Sequence, residues 1–178
     1  MPFSILIFAI LLMFSFTDVT RGSNDEISSV IAQAVLPTRL QEVPVWVELN
    51  KTADAKESLT PDMLGQWIAN RKLTLILKDL SADAQPASPY SVYFGLSPSE
   101  LPEKDSPNYV GRFWLYSEIN TNELKATPTL RAFDITYLVR RLFEAHAMAN
   151  PIGVMIVPER SPSKNTNFTI GSILLIAQ

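Results

Sequence analysis

Cysteine is absent from the 178-residue chain. A disulfide framework, a thiolate metal site, a lipidated cysteine anchor and a cysteine nucleophile are therefore excluded. Histidine is nearly as scarce, with His146 the sole representative, whereas metal centres built on imidazole draw about two to four such side chains from the protein. No block of Lys or Arg occurs, and a net charge of −3 with a pI near 5.2 withholds the basic face that nucleic acid requires. A G-x-S-x-G elbow, a phosphate-cradling glycine loop and an HExxH helix are missing too. Acid–base and nucleophilic chemistry is left to carboxylates, Lys, Tyr or Ser. The composition predicts a binding or accessory protein, with no catalytic residues, no metal site and no cofactor.

What is present describes a globular domain. Hydrophobic residues make up 47% and charged residues 19%, a balance that supports a real core. One domain is expected at this length. Phe3 to Phe16 (FSILIFAILLMFSF) is apolar apart from two serines; it suits a signal-peptide core and is short for a bilayer-spanning helix. Thr20 and Gly22 are small residues at −3 and −1 of a cut before Ser23, although no Lys or Arg precedes the apolar run. Residues 1–22 are read as a signal peptide, the alternative being an uncleaved anchor. The expected location is secreted, extracellular or periplasmic, with no stable membrane span once the leader is cut. Asn50-Lys51-Thr52 and Asn167-Phe168-Thr169 are acceptor sequons for N-glycosylation on a eukaryotic secretory route.

Residues 23–71 read as a lead-in, with a helical stretch from Glu26 to Val35 that ends before Pro37. An edge strand follows, in which Val43, Val45, Val47 and Leu49 share one parity and Pro44 suits the edge. Thr60-Pro61-Asp62 opens a short helix through Met63, Leu64, Trp67 and Ile68. Strands are then predicted over 72–80, 90–96, 110–116, 129–135, 152–157 and 168–176. Proline-studded loops at 81–89 and 97–108 cannot continue a ladder. Ile135, Leu138, Val139, Leu142 and Phe143 mark a helix over 136–148, capped by Asp134 or Thr136. About seven strands and one or two short helices make a mainly β protein, an antiparallel β-sandwich. A doubly wound α/β sheet is disfavoured, since helices do not alternate with strands.

Six blocks in one order carry a family resemblance: Leu73 to Leu80 (LTLILKDL), Tyr90 to Gly95 (YSVYFG), Tyr109 to Phe113 (YVGRF), Phe133 to Thr136 (FDIT) with Leu138 and Arg140-Arg141-Leu142, Val154 to Pro158 (VMIVP), and Thr169 to Ile173 (TIGSI). Over residues 72–178 the chain resembles the C-terminal β-sandwich domain of tyrosinases and polyphenol oxidases. In that family the sandwich sits beside a helical copper domain, covers its active-site mouth and is often removed to activate the latent enzyme. Some bacterial tyrosinases use a separate caddie protein that assists copper loading and pushes a residue into the catalytic pocket. A type-3 dicopper centre takes about six imidazoles, and one histidine cannot supply it. The resemblance implies a free-standing, non-catalytic domain that shields, chaperones or regulates a copper-containing tyrosinase or polyphenol oxidase in trans. The alternative is an extracellular carbohydrate- or protein-recognition module with no oxidase partner, because fold does not fix function.

Individual candidates divide accordingly. His146 follows the helical face of Leu142 near a helix C-terminus, where a local structural role outweighs metal contact. Met148 and Met155 do not form a soft copper pair on spacing alone. Glu100, Glu103, Asp105 and Glu118 could pose as a glycosidase dyad, but the first three share one polar loop with nothing to desolvate an acid. Trp46, Trp67, Trp114, Tyr90, Tyr93, Tyr109 and Tyr116 could build a sugar- or phenol-stacking platform; strand parity favours the core for most of them. In loop 97–108, Leu101 sits between Pro98 and Pro102, and Tyr109 ends the loop. Leu101 or Tyr109 is the predicted plug for a partner's pocket.

Overall fold

The computed structural model describes residues 28–34, 38–40, 43–52, 57–82, 88–103, 105–114, 129–160 and 168–178. The leader 1–22, Tyr116, Glu118 and Asn167 lie outside the described residues. Among the described residues the elements are β1 (Ser29–Ala34), β2 (Thr38–Leu40), β3 (Val45–Glu48), β4 (Asn50–Lys51), α1 (Pro61–Ile68), β5 (Leu73–Ala82), β6 (Tyr90–Phe94), β7 (Tyr109–Phe113), β8 (Thr129–Asp134), α2 (Thr136–Glu144), β9 (Gly153–Pro158) and β10 (Phe168–Ala177). They form two antiparallel sheets: a larger one in the order β4-β1-β10-β5-β8, with β2 also on β10, and a smaller one in the order β3-β9-β6-β7. The expected mainly β sandwich is the observed fold. No helix among the described residues is long and apolar enough to cross a membrane.

Period-two burial builds the core. Leu73, Leu75 and Leu77 on β5 and Ile173, Leu175 and Ala177 on β10 face Val92 and Phe94 on β6 and Val154 and Ile156 on β9. Each such Leu, Ile, Val or Phe side chain, once buried, is worth about 1.5–3 kcal/mol. At one end Tyr90, Phe113 and Phe168 stack with ring centroids 5.0–6.0 Å apart. On β5 the parity changes after Leu77, and Leu80 is buried instead of Asp79. Asp79 takes a left-handed conformation (φ 56°) where the pairing of β5 with β8 shifts register. Gly171 leaves room for it, since a Cβ there would lie 2.7 Å from the Asp79 Cβ.

The helices occupy the turns between strands. Thr60 caps α1, its Oγ1 accepting from the Met63 N–H at 3.4 Å, and Leu64 and Ile68 enter the core. The α2 helix runs from β8 in the larger sheet to β9 in the smaller, burying Val139 and Leu142. Asp134 Oδ1 accepts from the Thr136 N–H (3.1 Å) and hydroxyl (2.7 Å), and the Leu73 N–H donates to Thr136 Oγ1 (2.9 Å). The start of α2 is thereby tied to β5.

Two expectations are corrected. The helix read over Glu26 to Val35 is, in its described part, the strand β1, because β10 offers an edge on which Ser29–Ala34 pairs. The second helix ends at Glu144 rather than at residue 148, because His146 adopts φ 50°. There the Ala147 N–H reaches Leu142 O (2.9 Å) and the His146 N–H reaches Phe143 O (3.0 Å), the paired bonds of a Schellman stop. The segment read as a lead-in supplies β1, β2 and β4 to the larger sheet and β3, as an edge strand, to the smaller.

Candidate functional site

The outer face of the smaller sheet differs from an ordinary wet face. Strand pairing aligns Trp46 with Met155, Met155 with Tyr93, and Tyr93 with Tyr109, so one row crosses all four strands. Trp46, Tyr93, Leu96, Met155 and Val157 form a second apolar cluster separate from the main core. Trp46 is fixed by its Nε1–H, which donates to Leu96 O at 2.9 Å. Tyr93 is only 6% exposed, and burial pushes its hydroxyl pKa above the usual tyrosine value. Tyr109, 40% exposed, meets Tyr93 edge to face with centroids 5.5 Å apart.

Beside this row runs a second: Val157, Ser91 and Arg112. Tyr93 and Tyr109 of the first row and all three residues of the second, with Pro158, Glu159 and, from the loop, Pro102 and Asp105, line a groove of about 620 Å³. The Ser91 hydroxyl donates to Glu159 Oε1 at 3.0 Å, and the Glu159 N–H is held by Pro89 O at 3.0 Å.

Loop 97–108 forms one wall, anchored at its base. Gly95 has φ 77°, which favours glycine, and Asn108 returns the chain by donating its side-chain amide to Phe94 O (2.8 Å). The Phe94 N–H donates to Asn108 O (2.9 Å), closing the base. Leu101 at the tip is 79% exposed, the most exposed large apolar side chain described. The loop acids are solvated as expected: Glu100 accepts from the Ser97 N–H at 2.6 Å, and Glu103 and Asp105 lie at the surface.

The other candidates fall elsewhere. Exposed His146 shares a 220 Å³ depression with Pro61, Asp62, Phe143 and Met148. No group of three or more His, Asp or Glu side chains suited to a metal ion occurs among the described residues. Asn50 is half-buried in β4, paired with Gln33 and bridged to Ser58. The aromatic set divides: Tyr90 is in the main core, half-buried Trp67 packs on it beneath Arg71, and Trp46, Tyr93 and Tyr109 share the outer row. Arg112, Ser91 and Glu159 were not candidates in the sequence; only their cross-strand register brings them together.

This architecture defines a two-sheet antiparallel sandwich with one outer face covered by side chains of its own. No protein-family model and no curated protein matches the chain. Among solved structures it is similar to "Latent aurone synthase (polyphenol oxidase) from natural source", with 16% identity and a TM-score of 0.52, over 79% of this chain and 25% of that one. It is also matched to latent apple tyrosinase, with 18% identity and a TM-score of 0.47, over 80% of this chain and 28% of that one. At such identities the likeness is one of fold. The chain spans about a quarter of the length of these oxidases.

Proposed function

We propose that this chain is an exported, non-catalytic accessory domain that docks in trans on a copper-containing tyrosinase or polyphenol oxidase and shields or regulates it. The observation that carries the reading is the fold shared with a quarter-length portion of a latent polyphenol oxidase. Leu101 supports it: a bare leucine on a loop stiffened by Pro98, Pro102 and Pro107 loses little entropy on entering a pocket. Tyr109, the other plug candidate, is braced against Tyr93 and serves better as a wall behind that tip.

The test is an oxygen-uptake assay with a catechol substrate and a copper-loaded polyphenol oxidase from which its own sandwich has been removed. Adding the chain should lower the rate in a saturable way. Leu101→Ala should weaken the inhibition about tenfold or more, as expected for a buried anchor. A rate untouched by excess chain refutes docking, and equal inhibition by Leu101→Ala refutes the plug.

A further inference from the structure

We infer that the groove on the outer face of the smaller sheet is a binding site for a short, uncharged oligosaccharide, with Tyr109 as the stacking surface and Arg112, Asp105 and Glu159 as hydrogen-bonding partners. The inference stands apart from oxidase docking, because it needs only this chain.

Size and wall chemistry come first. About 620 Å³ falls within the range of roughly 300–1,000 Å³ typical of small-ligand clefts. Apolar walls come from Tyr109, Val157, Pro102 and Pro158. Tyr109 is half-open yet held by the edge of Tyr93, so its orientation is set before a ligand arrives. A pyranose presents an apolar C–H face that suits such a ring.

The polar groups select the ligand class. Arg112 only donates hydrogen bonds, whereas Asp105 and Glu159, as carboxylates, only accept them. Among the described residues neither the Arg112 nor the Asp105 side chain has a hydrogen bond or ion pair. Ser91 holds Glu159 by Oε1, which leaves Oε2 for a ligand. A sugar hydroxyl both donates and accepts, and so serves both kinds of partner at once. Two carboxylates against one guanidinium disfavour an anion such as a phenolic acid or a uronic acid chain. A simple phenol would engage the aromatic wall but has one hydroxyl for three charged groups.

Isothermal titration of the chain with cellotetraose, xylotetraose, mannotetraose and maltotetraose tests the assignment, with tetragalacturonate and 4-hydroxybenzoate as competing chemistries. At least one of the four uncharged tetrasaccharides should bind saturably. Tyr109→Ala should weaken that binding about tenfold, equivalent to ~1.4 kcal/mol. Tyr109 also packs on Tyr93, so Arg112→Ala, at an exposed position, supplies the second variant and should weaken binding severalfold without moving the thermal midpoint. Tyr137→Ala, at a 76%-exposed position on α2, should change nothing. The inference is overturned by no binding of any uncharged tetrasaccharide, by tighter binding of tetragalacturonate or 4-hydroxybenzoate, or by binding that survives both groove variants.

Discussion

Placing one methyl group at Gly153 should loosen the whole outer row. Gly153 pairs with Glu48 in β3, and its carbonyl accepts from the Gly95 N–H at 2.9 Å. A Cβ there would lie 2.4 Å from Trp46 Cε2 and 2.5 Å from both Cζ2 and Nε1. Ordinary carbon contacts begin near 3.5 Å, so the indole would have to shift by about an ångström. That movement breaks the Trp46 bond to Leu96 O, costing about 0.5–1.5 kcal/mol. Forcing the ring against its neighbours adds about 1–3 kcal/mol of overpacking. Gly153→Ala is therefore expected to destabilise the protein by ~1.5–4.5 kcal/mol in urea unfolding followed by far-UV circular dichroism, a signal that does not depend on the displaced tryptophan. Trp46→Leu removes the obstruction, so the double variant should be more stable than the sum of the single effects by at least ~1 kcal/mol. A Gly153→Ala loss below ~0.5 kcal/mol, or strict additivity, would refute the reasoning.

Two further outcomes follow from the ends of α2. His146 occupies the left-handed stop position that glycine fills most easily, so His146→Gly should raise stability by about 0.5–1 kcal/mol in the same urea assay, while His146→Ala should not. At the other end, the Thr136 hydroxyl, then the Thr136 N–H, and lastly Lys72 hold the Asp134 carboxyl below the usual carboxylate range. A depressed folded pKa gives stability that is present above the unfolded value, about 4, and lost as pH falls through the lower folded value. Comparing urea midpoints from pH 6 down to pH 2, the wild type should show this loss below pH ~4, and Asp134→Asn should lack that increment of it; parallel curves for the two proteins would contradict the assignment.

Where burial alternates cleanly, the sequence pattern and the structure agree. Leu73, Leu75 and Leu77 announce β5, and Thr60-Pro61 announces α1. β1 defeats the same logic for a physical reason. Its pairing with β10 shifts between Val30 and Ala32, and consecutive residues Ile31 and Ala32 are both buried. Adjacent buried residues break the period of two and imitate a helical face. The end of α2 was hidden as well, because a histidine at the stop position carries no signal comparable to glycine.

The outer row was illegible for a different reason. Trp46, Tyr93, Tyr109 and Met155 come from four strands. Trp46, Tyr93 and Met155 alternate with core-facing residues on their own strands, whereas Tyr109 shares the parity of buried Phe113 and reaches the outer face only through the register shift in the pairing of β6 with β7, which sequence parity does not reveal. Register decides the matter, because only the pairing of Met155 with both Trp46 and Tyr93 puts large side chains side by side on the outside. An antiparallel sheet commonly leaves one face to water, but all five residues of β6 are buried. Tyr93 clusters with Trp46, Leu96, Met155 and Val157, Ser91 is bonded to Glu159, and Pro102 and Asp105 of loop 97–108 line the groove beside them. That cover turns a flat sheet surface into a groove with a floor and a wall, and the same wall carries Leu101 at its tip. A ligand seated against Pro102 and Asp105 would thus touch the loop that presents the leucine, which makes the two proposed activities neighbours on one surface and gives each a physical means of reporting on the other.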